Sequence, residues 1–182
     1  MVRARHKNRS IGGYSLFEFI IVITVIGVLA AIGIKYYLQS QEEAQKALIN
    51  ASARSFASSV SSLRGHWLVN RTERGEIHSV DMEGVTVHLN EFGWAASAGE
   101  SGSPSIHNQT PQECFFLWLG ISQSSIDATI QGDENRGRAT YHVSMPDSYI
   151  CRYELAIKNN DTLFFDYNLR NGRVAVSTHF SL

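Results

Sequence analysis

The chain has 182 residues, 43% hydrophobic and 18% charged, with a formal net charge of −1, which is room for one compact domain plus an extended element. Arg3, Arg5, Lys7 and Arg9 crowd into the first thirteen positions with no acid among them, so the remainder holds twelve Lys and Arg against seventeen Asp and Glu, a net charge of −5. That body carries no basic footprint for nucleic acid, and the two cysteines, Cys114 and Cys151, form no CxxC pair of the zinc or thioredoxin-like kind.

After Gly12-Gly13 comes YSLFEFIIVITVIGVLAAIGIKYY, in which residues 19–34 carry no charge and Thr24 is the one conventional polar side chain. Read from Tyr14, the stretch covers roughly 30 Å as helix, sufficient to cross a bilayer. The basic residues on its N-terminal flank hold that end in the cytoplasm and send the C-terminus outward. Glu18 is out of place: an ionised carboxylate near a membrane centre costs about 2.5–3.5 kcal/mol or more. Cutting the chain after Gly13 would create a free amine at Tyr14, four residues before Glu18. That amine would be a cation matched to a costly anion, on the same chain or an incoming copy.

The combination of basic leader, Gly13 at the junction, a Glu five residues beyond it and a long apolar helix resembles the type IV prepilins, and equally the pseudopilins of type II secretion. The resemblance covers about residues 9–40. It implies that a membrane prepilin peptidase cuts after Gly13 and methylates the new N-terminus, Tyr14, and that Glu18 guides subunit docking. Two positions depart from the family pattern: Tyr14 stands where Phe is usual, and Lys35 stands where many major pilins have a helix-kinking Pro. Lys35 falls near the outer membrane boundary, where its stem can snorkel to water. Gly27 and Gly33 are weak points, each costing about 1 kcal/mol relative to Ala in a helix. A cleavable secretory signal ending near Ala30-Ala31, a plain signal anchor and a double-glycine secretion leader are the other readings of the segment.

The helical pattern continues past the membrane stretch, with Leu48, Phe56, Val60, Leu63 and Trp67 expected on one face and Gln41, Glu42, Gln45 and Lys46 facing water. One helix is predicted over about residues 15–70, followed by a connecting loop at 71–83. A strand is predicted at 85–89, closed by Gly93-Trp94, and residues 95–109, small and Gly/Ser-rich, read as an exposed mobile loop. Thr110-Pro111-Gln112-Glu113 matches a capping box with Pro at the first helical position, opening a short buried helix. Strands are predicted at 139–144, 149–158, 162–169 and 173–180, with turn chemistry in Asn159-Asn160-Asp161 and Arg170-Asn171-Gly172.

The expected fold class is α+β and pilin-like: a long N-terminal helix packed on a C-terminal antiparallel sheet of four or five strands. The expected divisions are a cleaved leader (1–13), a transmembrane and assembly half (14–36), an amphipathic half (37–70) and a head (71–182), which gives a lollipop-shaped mature chain. If the head is exported, Cys114 and Cys151 are expected to form a disulfide stapling the short helix to the sheet; two separate buried thiols are the alternative. No enzyme, cofactor or metal is expected. The seven histidines lack HxxxH spacing, no GxSxG motif occurs, and residues 131–135 (QGDEN) cannot alone supply the six to eight oxygens a calcium ion needs.

Assembly is expected to pack Phe17, Phe19, Ile20, Ile23, Ile26 and Leu29 of neighbouring helices together, with Glu18 against the Tyr14 amine. The implied partners are other pilin subunits, the peptidase, membrane lipid before assembly, and an inner-membrane platform with a separate ATPase, since this chain has no P-loop. The stretches SSLRGHWLVN and GVTVHLNEFGW resemble subunits of the mannose-sensitive haemagglutinin pilus family. The missing Pro and the non-terminal cysteine pair point to a minor subunit. A type II secretion pseudopilin and a membrane-anchored adhesin that does not polymerise are the rival functions.

Overall fold

The computed structural model describes residues 15–74, 79–82, 84–122, 127–132, 139–157 and 162–179. The chain divides into two compact units, Met1–Glu43 and Ala44–Leu182. The first helix, α1, spans Leu16–Arg74 and contributes to both.

In the second unit α1 buries Ile49, Ala53, Phe56, Val60, Leu63 and Trp67, an alternation of fours and threes that keeps one stripe inward. Leu48, expected on that stripe, is 41% exposed, whereas Ile49 is fully buried. At about 100° per residue, eight positions from Leu48 to Phe56 rotate the face by about 80°, while seven from Ile49 keep it within about 20°. Gln41 and Glu42 face solvent; Gln45 and Lys46 are half-buried.

Two sheets complete this unit. Strands β1 (Ser79–Met82), β2 (Val85–Leu89) and β3 (Ala95–Ala98) form an antiparallel sheet in chain order. Helix α2 (Pro111–Ser122) follows a 3-10 turn at Ile106–Asn108. Strands β4 (Ala128–Ile130), β5 (Tyr141–Asp147), β6 (Ile150–Leu155), β7 (Thr162–Asn168) and β8 (Val174–His179) form a second sheet, also in chain order. This sheet is mixed: β4 pairs parallel with β5, and the other pairings are antiparallel.

Several expectations are corrected here. The loop read at 71–83 begins as the last turn of α1 and contains β1. Residues 95–109 are not a free loop: Ala95–Ala98 is a strand with every residue buried. The stretch after it is tied by Gly99 N to Thr86 O at 2.8 Å, His88 Nε2 to Gly99 O at 2.7 Å, and Gln109 Nε2 to the Ser103 and Ser105 carbonyls. The capping box at α2 is half formed. Thr110 Oγ1 accepts from Glu113 N at 3.3 Å, but the Glu113 carboxylate turns to Ser97 Oγ and Ser103 N. Strand β5 passes the expected end at Ser144 through a register break that accommodates Pro146, a residue with no N–H to give the ladder. The Asn159-Asn160-Asp161 turn and residues 133–135 lie outside the described residues, while Arg170-Asn171-Gly172 does turn β7 into β8, with Gly172 at φ +70.

The core is aromatic. Phe56 of α1 lies 5.2 Å from Tyr153, 5.5 Å from Phe165 and 5.2 Å from Tyr167, ring centre to ring centre, and Trp118 of α2 stacks on it at 6.3 Å. Period-two burial along β6 and β7 turns Cys151, Tyr153, Leu155, Leu163, Phe165 and Tyr167 to this side. Each buried phenol keeps a partner: Tyr141 Oη donates to Ser52 Oγ, Tyr153 Oη to Cys114 O and Tyr167 Oη to Ala95 O, as burial requires. Burial pushes all three above the ordinary phenol range, with Ser52 partly offsetting it at Tyr141 and the Arg64 charge at Tyr167.

Candidate assembly segment

Helix α1 up to Glu43 is unlike any other part of the described residues. Its large hydrophobic side chains from Leu16 to Leu38 are all exposed, including Phe17 at 71%, Phe19 at 60%, Ile20 at 52% and Ile23 at 52%. They surround the helix instead of forming a stripe, and a helix apolar all round is built for lipid or for burial among other helices. By length and composition it is the one described helix able to cross a membrane, and none of that stretch is buried. The hydroxyl of Thr24 donates to Ile20 O at 2.8 Å, so the lone polar group in the apolar run satisfies itself within the helix.

Glu18 sits exposed in the first turn of α1. There the unpaired N–H groups and the helix dipole favour negative charge by about 0.3–1 kcal/mol, well short of what a carboxylate loses in hydrocarbon. A turn of about 100° per residue places Ile20 and Ile23 on the far side of the helix from Glu18. Gly13 and Tyr14, the expected processing positions, lie outside the described residues, and with them the expected Glu18–amine pair.

In the second unit Cys114 and Cys151 are joined by a disulfide with Cα atoms 5.6 Å apart. It ties the first turn of α2 to β6, as expected. Among the described residues no group of three His, Cys, Asp or Glu side chains is placed to hold a metal ion. A shallow hollow beside α2 is lined by Val85, Ala98, Gly99, Phe116, Leu119 and Gly120, which bring no acid, base or nucleophile to it.

Reasoning from sequence missed Asn90, a buried polar residue that joins the two sheets. Its Nδ2 donates to Leu169 O at 2.7 Å, and its Oδ1 accepts from Phe92 N and Trp94 N, both at 3.0 Å. The signal was available: an Asn three residues before a Gly at the end of a strand is turn chemistry. Arg64 was missed as well; its guanidinium lies over both Trp67 and Trp94, 4.9 and 4.7 Å from the ring centres.

A long N-terminal helix, apolar at its start, whose C-terminal half packs on a disulfide-stapled α+β head is a pilin-like fold. Two fimbrial proteins of Neisseria meningitidis are similar to it. The one from serogroup A, serotype 4A, is 27% identical over 117 residues, covering 63% of this chain and 69% of the relative. The one from serogroup B is 26% identical over the same coverage. No protein-family profile matches the chain, and no solved structure does.

Proposed function

We propose that this chain is a subunit of a type IV pilus-like filament serving adhesion, made as a precursor and assembled through α1. In this reading the leader 1–13 is removed after Gly13 and Tyr14 becomes the methylated N-terminus. The uncut chain waits in the inner membrane with its C-terminus in the periplasm. Assembly then moves α1 from lipid into a bundle of like helices, driven by an inner-membrane platform whose ATPase is a separate protein. The subunit is structural and performs no catalysis of its own.

The observation that supports this best is Glu18, exposed at the start of an all-round apolar helix with no partner among the described residues. A permanent membrane anchor has no use for that charge, whereas an incoming subunit with a free amine completes it. Intact-mass analysis of protein purified from membranes is the test. Loss of Met1–Gly13 and gain of one methyl group is the expected result; a chain still beginning at Met1 refutes the reading.

A further inference from the structure

Lys35 is the one charged residue between Glu18 and Glu42, and it is exposed on α1 within the first unit. Neither Lys35 nor Glu42 has a hydrogen bond or ion pair among the described residues. Their neighbours do: Gln39 Nε2 donates to Glu43 Oε1 at 3.4 Å and Gln41 Nε2 to Tyr37 Oη at 2.6 Å. Seven residues separate Lys35 from Glu42, almost two full turns, so both project from the same side of the helix about 10.5 Å apart along its axis. That spacing is beyond the three- or four-residue separation at which two side chains of one helix meet.

The same face therefore offers a cation and an anion that cannot satisfy each other within one chain. Two further copies, one displaced toward each end of the helix, can satisfy both. The basic leader gives every copy the same orientation in the membrane, so neighbouring helices are parallel. In register, such helices set Lys35 beside Lys35 and Glu18 beside Glu18, like charges in an apolar surround. A shift of two turns replaces the first repulsion with an attraction. Glu43 is the poorer match: it lies about 80° round the helix from Lys35 and already accepts from Gln39.

We propose that Lys35 of one copy pairs with Glu42 of a parallel neighbouring copy displaced by two helical turns, and that this pair sets the axial stagger of the α1 bundle. The proposal rests on the filament reading. The Tyr14–Glu18 pairing needs an offset of four residues, about 6 Å, and falls on a different neighbour of the same helix.

The test uses the full-length chain in its own cells. Filaments are sheared from cells expressing wild type, Lys35→Glu, Glu42→Lys or the double exchange, and subunit in the sheared fraction is measured against subunit in the membrane. Each single reversal is expected to lower filament yield about tenfold by opposing like charges, and the double exchange to restore it. In parallel, Lys35→Cys and Glu42→Cys chains are co-expressed and the sheared filaments oxidised; a 35–42 covalent dimer is expected, and no 35–35 dimer. A double exchange no better than the single reversals, or a predominant 35–35 dimer, overturns the stagger while leaving the filament reading intact. A wild-type chain present in membranes but absent from every sheared fraction overturns both.

Discussion

The phenol of Tyr153 donates to the carbonyl of Cys114 at 3.0 Å, and Cys114 is bonded through sulfur to Cys151, two residues earlier on the same strand. Helix α2 is thus latched to β6 twice at one point, once covalently and once by a fully buried hydrogen bond. The covalent latch closes a loop with a sequence separation of 37, for which chain entropy corresponds to about 3–4 kcal/mol. Replacing both cysteines by Ala should remove a comparable amount of stability. Tyr153→Phe, which removes the side-chain donor from the Cys114 carbonyl, should cost about 1–2 kcal/mol more than an exposed Tyr→Phe control. Urea unfolding of the detergent-solubilised chain, followed by tryptophan fluorescence, reads both.

Asn90 should prove as important as any core hydrophobe. Its side chain satisfies one carbonyl and two N–H groups, and Asn90→Ala strands all three. A loss of about 2–4 kcal/mol is expected, with Asn90→Asp no better, because a carboxylate cannot donate to Leu169 O. Equal stability of Asn90→Ala and wild type in the same urea titration would contradict this role.

Gly93 and Gly172 are held by tryptophans. Gly93 has φ +75 and a Cβ there would stand 2.4 Å from the Trp67 ring; Gly172 has φ +70 and a Cβ would stand 2.2 Å from the Trp94 ring. Alanine at either site combines a left-handed backbone with overpacking, so about 2–4 kcal/mol should be lost. Gly84→Ala, with a similar positive φ but open space around it, should lose only the backbone part. The difference between the two kinds of site isolates the ring contact.

The buried phenols give the head an alkaline limit. Burial raises Tyr153, Tyr167 and Tyr141 above the ordinary value near 10, so the unfolded chain releases these protons first. Stability from them is fully present below about pH 10 and declines as pH rises further. The slope is roughly 1.4 kcal/mol per pH unit for each phenol still protonated in the fold. Phenolate absorbance should therefore appear together with loss of fluorescence. Gradual ionisation of these three in a chain that remains folded would show that they are accessible to solvent.

Glu18→Ala should leave urea unfolding of the head unchanged, because Glu18 and the head belong to different units. Under the filament reading it should also abolish the sheared fraction. A variant that loses both properties would place Glu18 in folding and not in assembly.

The parts of the fold legible in the sequence are those in which local chemistry decides. The apolar run, β2, the Thr110-Pro111 helix start, the C-terminal strands and the cysteine pair all carry signals within a few residues. Strand β3 does not. Its Ala-Ala-Ser-Ala composition reads as loop, but those residues are small because α2 approaches closely: a Cβ on Gly120 would stand 2.4 Å from the Cβ of Ala98. The short β4 was missed for a related reason, since its parallel pairing with β5 is set by a distant part of the chain. Exchange of Leu48 for Ile49 on the buried stripe came from counting apolar residues without their phase. At the candidate assembly segment, Glu18 was conspicuous as a charge in an apolar run, while a run of large exposed hydrophobic side chains names no partner.

The aromatic cluster around Phe56 has a consequence for how the molecule is made. Phe56 is synthesised long before its ring partners Phe165 and Tyr167. Until they arrive, the stripe from Ile49 to Trp67 is at most partly covered, and the sticky run ahead of it is bare. A nascent chain in that interval is prone to clump with its siblings, so the cell must shield it or complete the sheet quickly. Having all five strands of that sheet neighbour one another in chain order shortens the wait, because each new strand docks on the one just made.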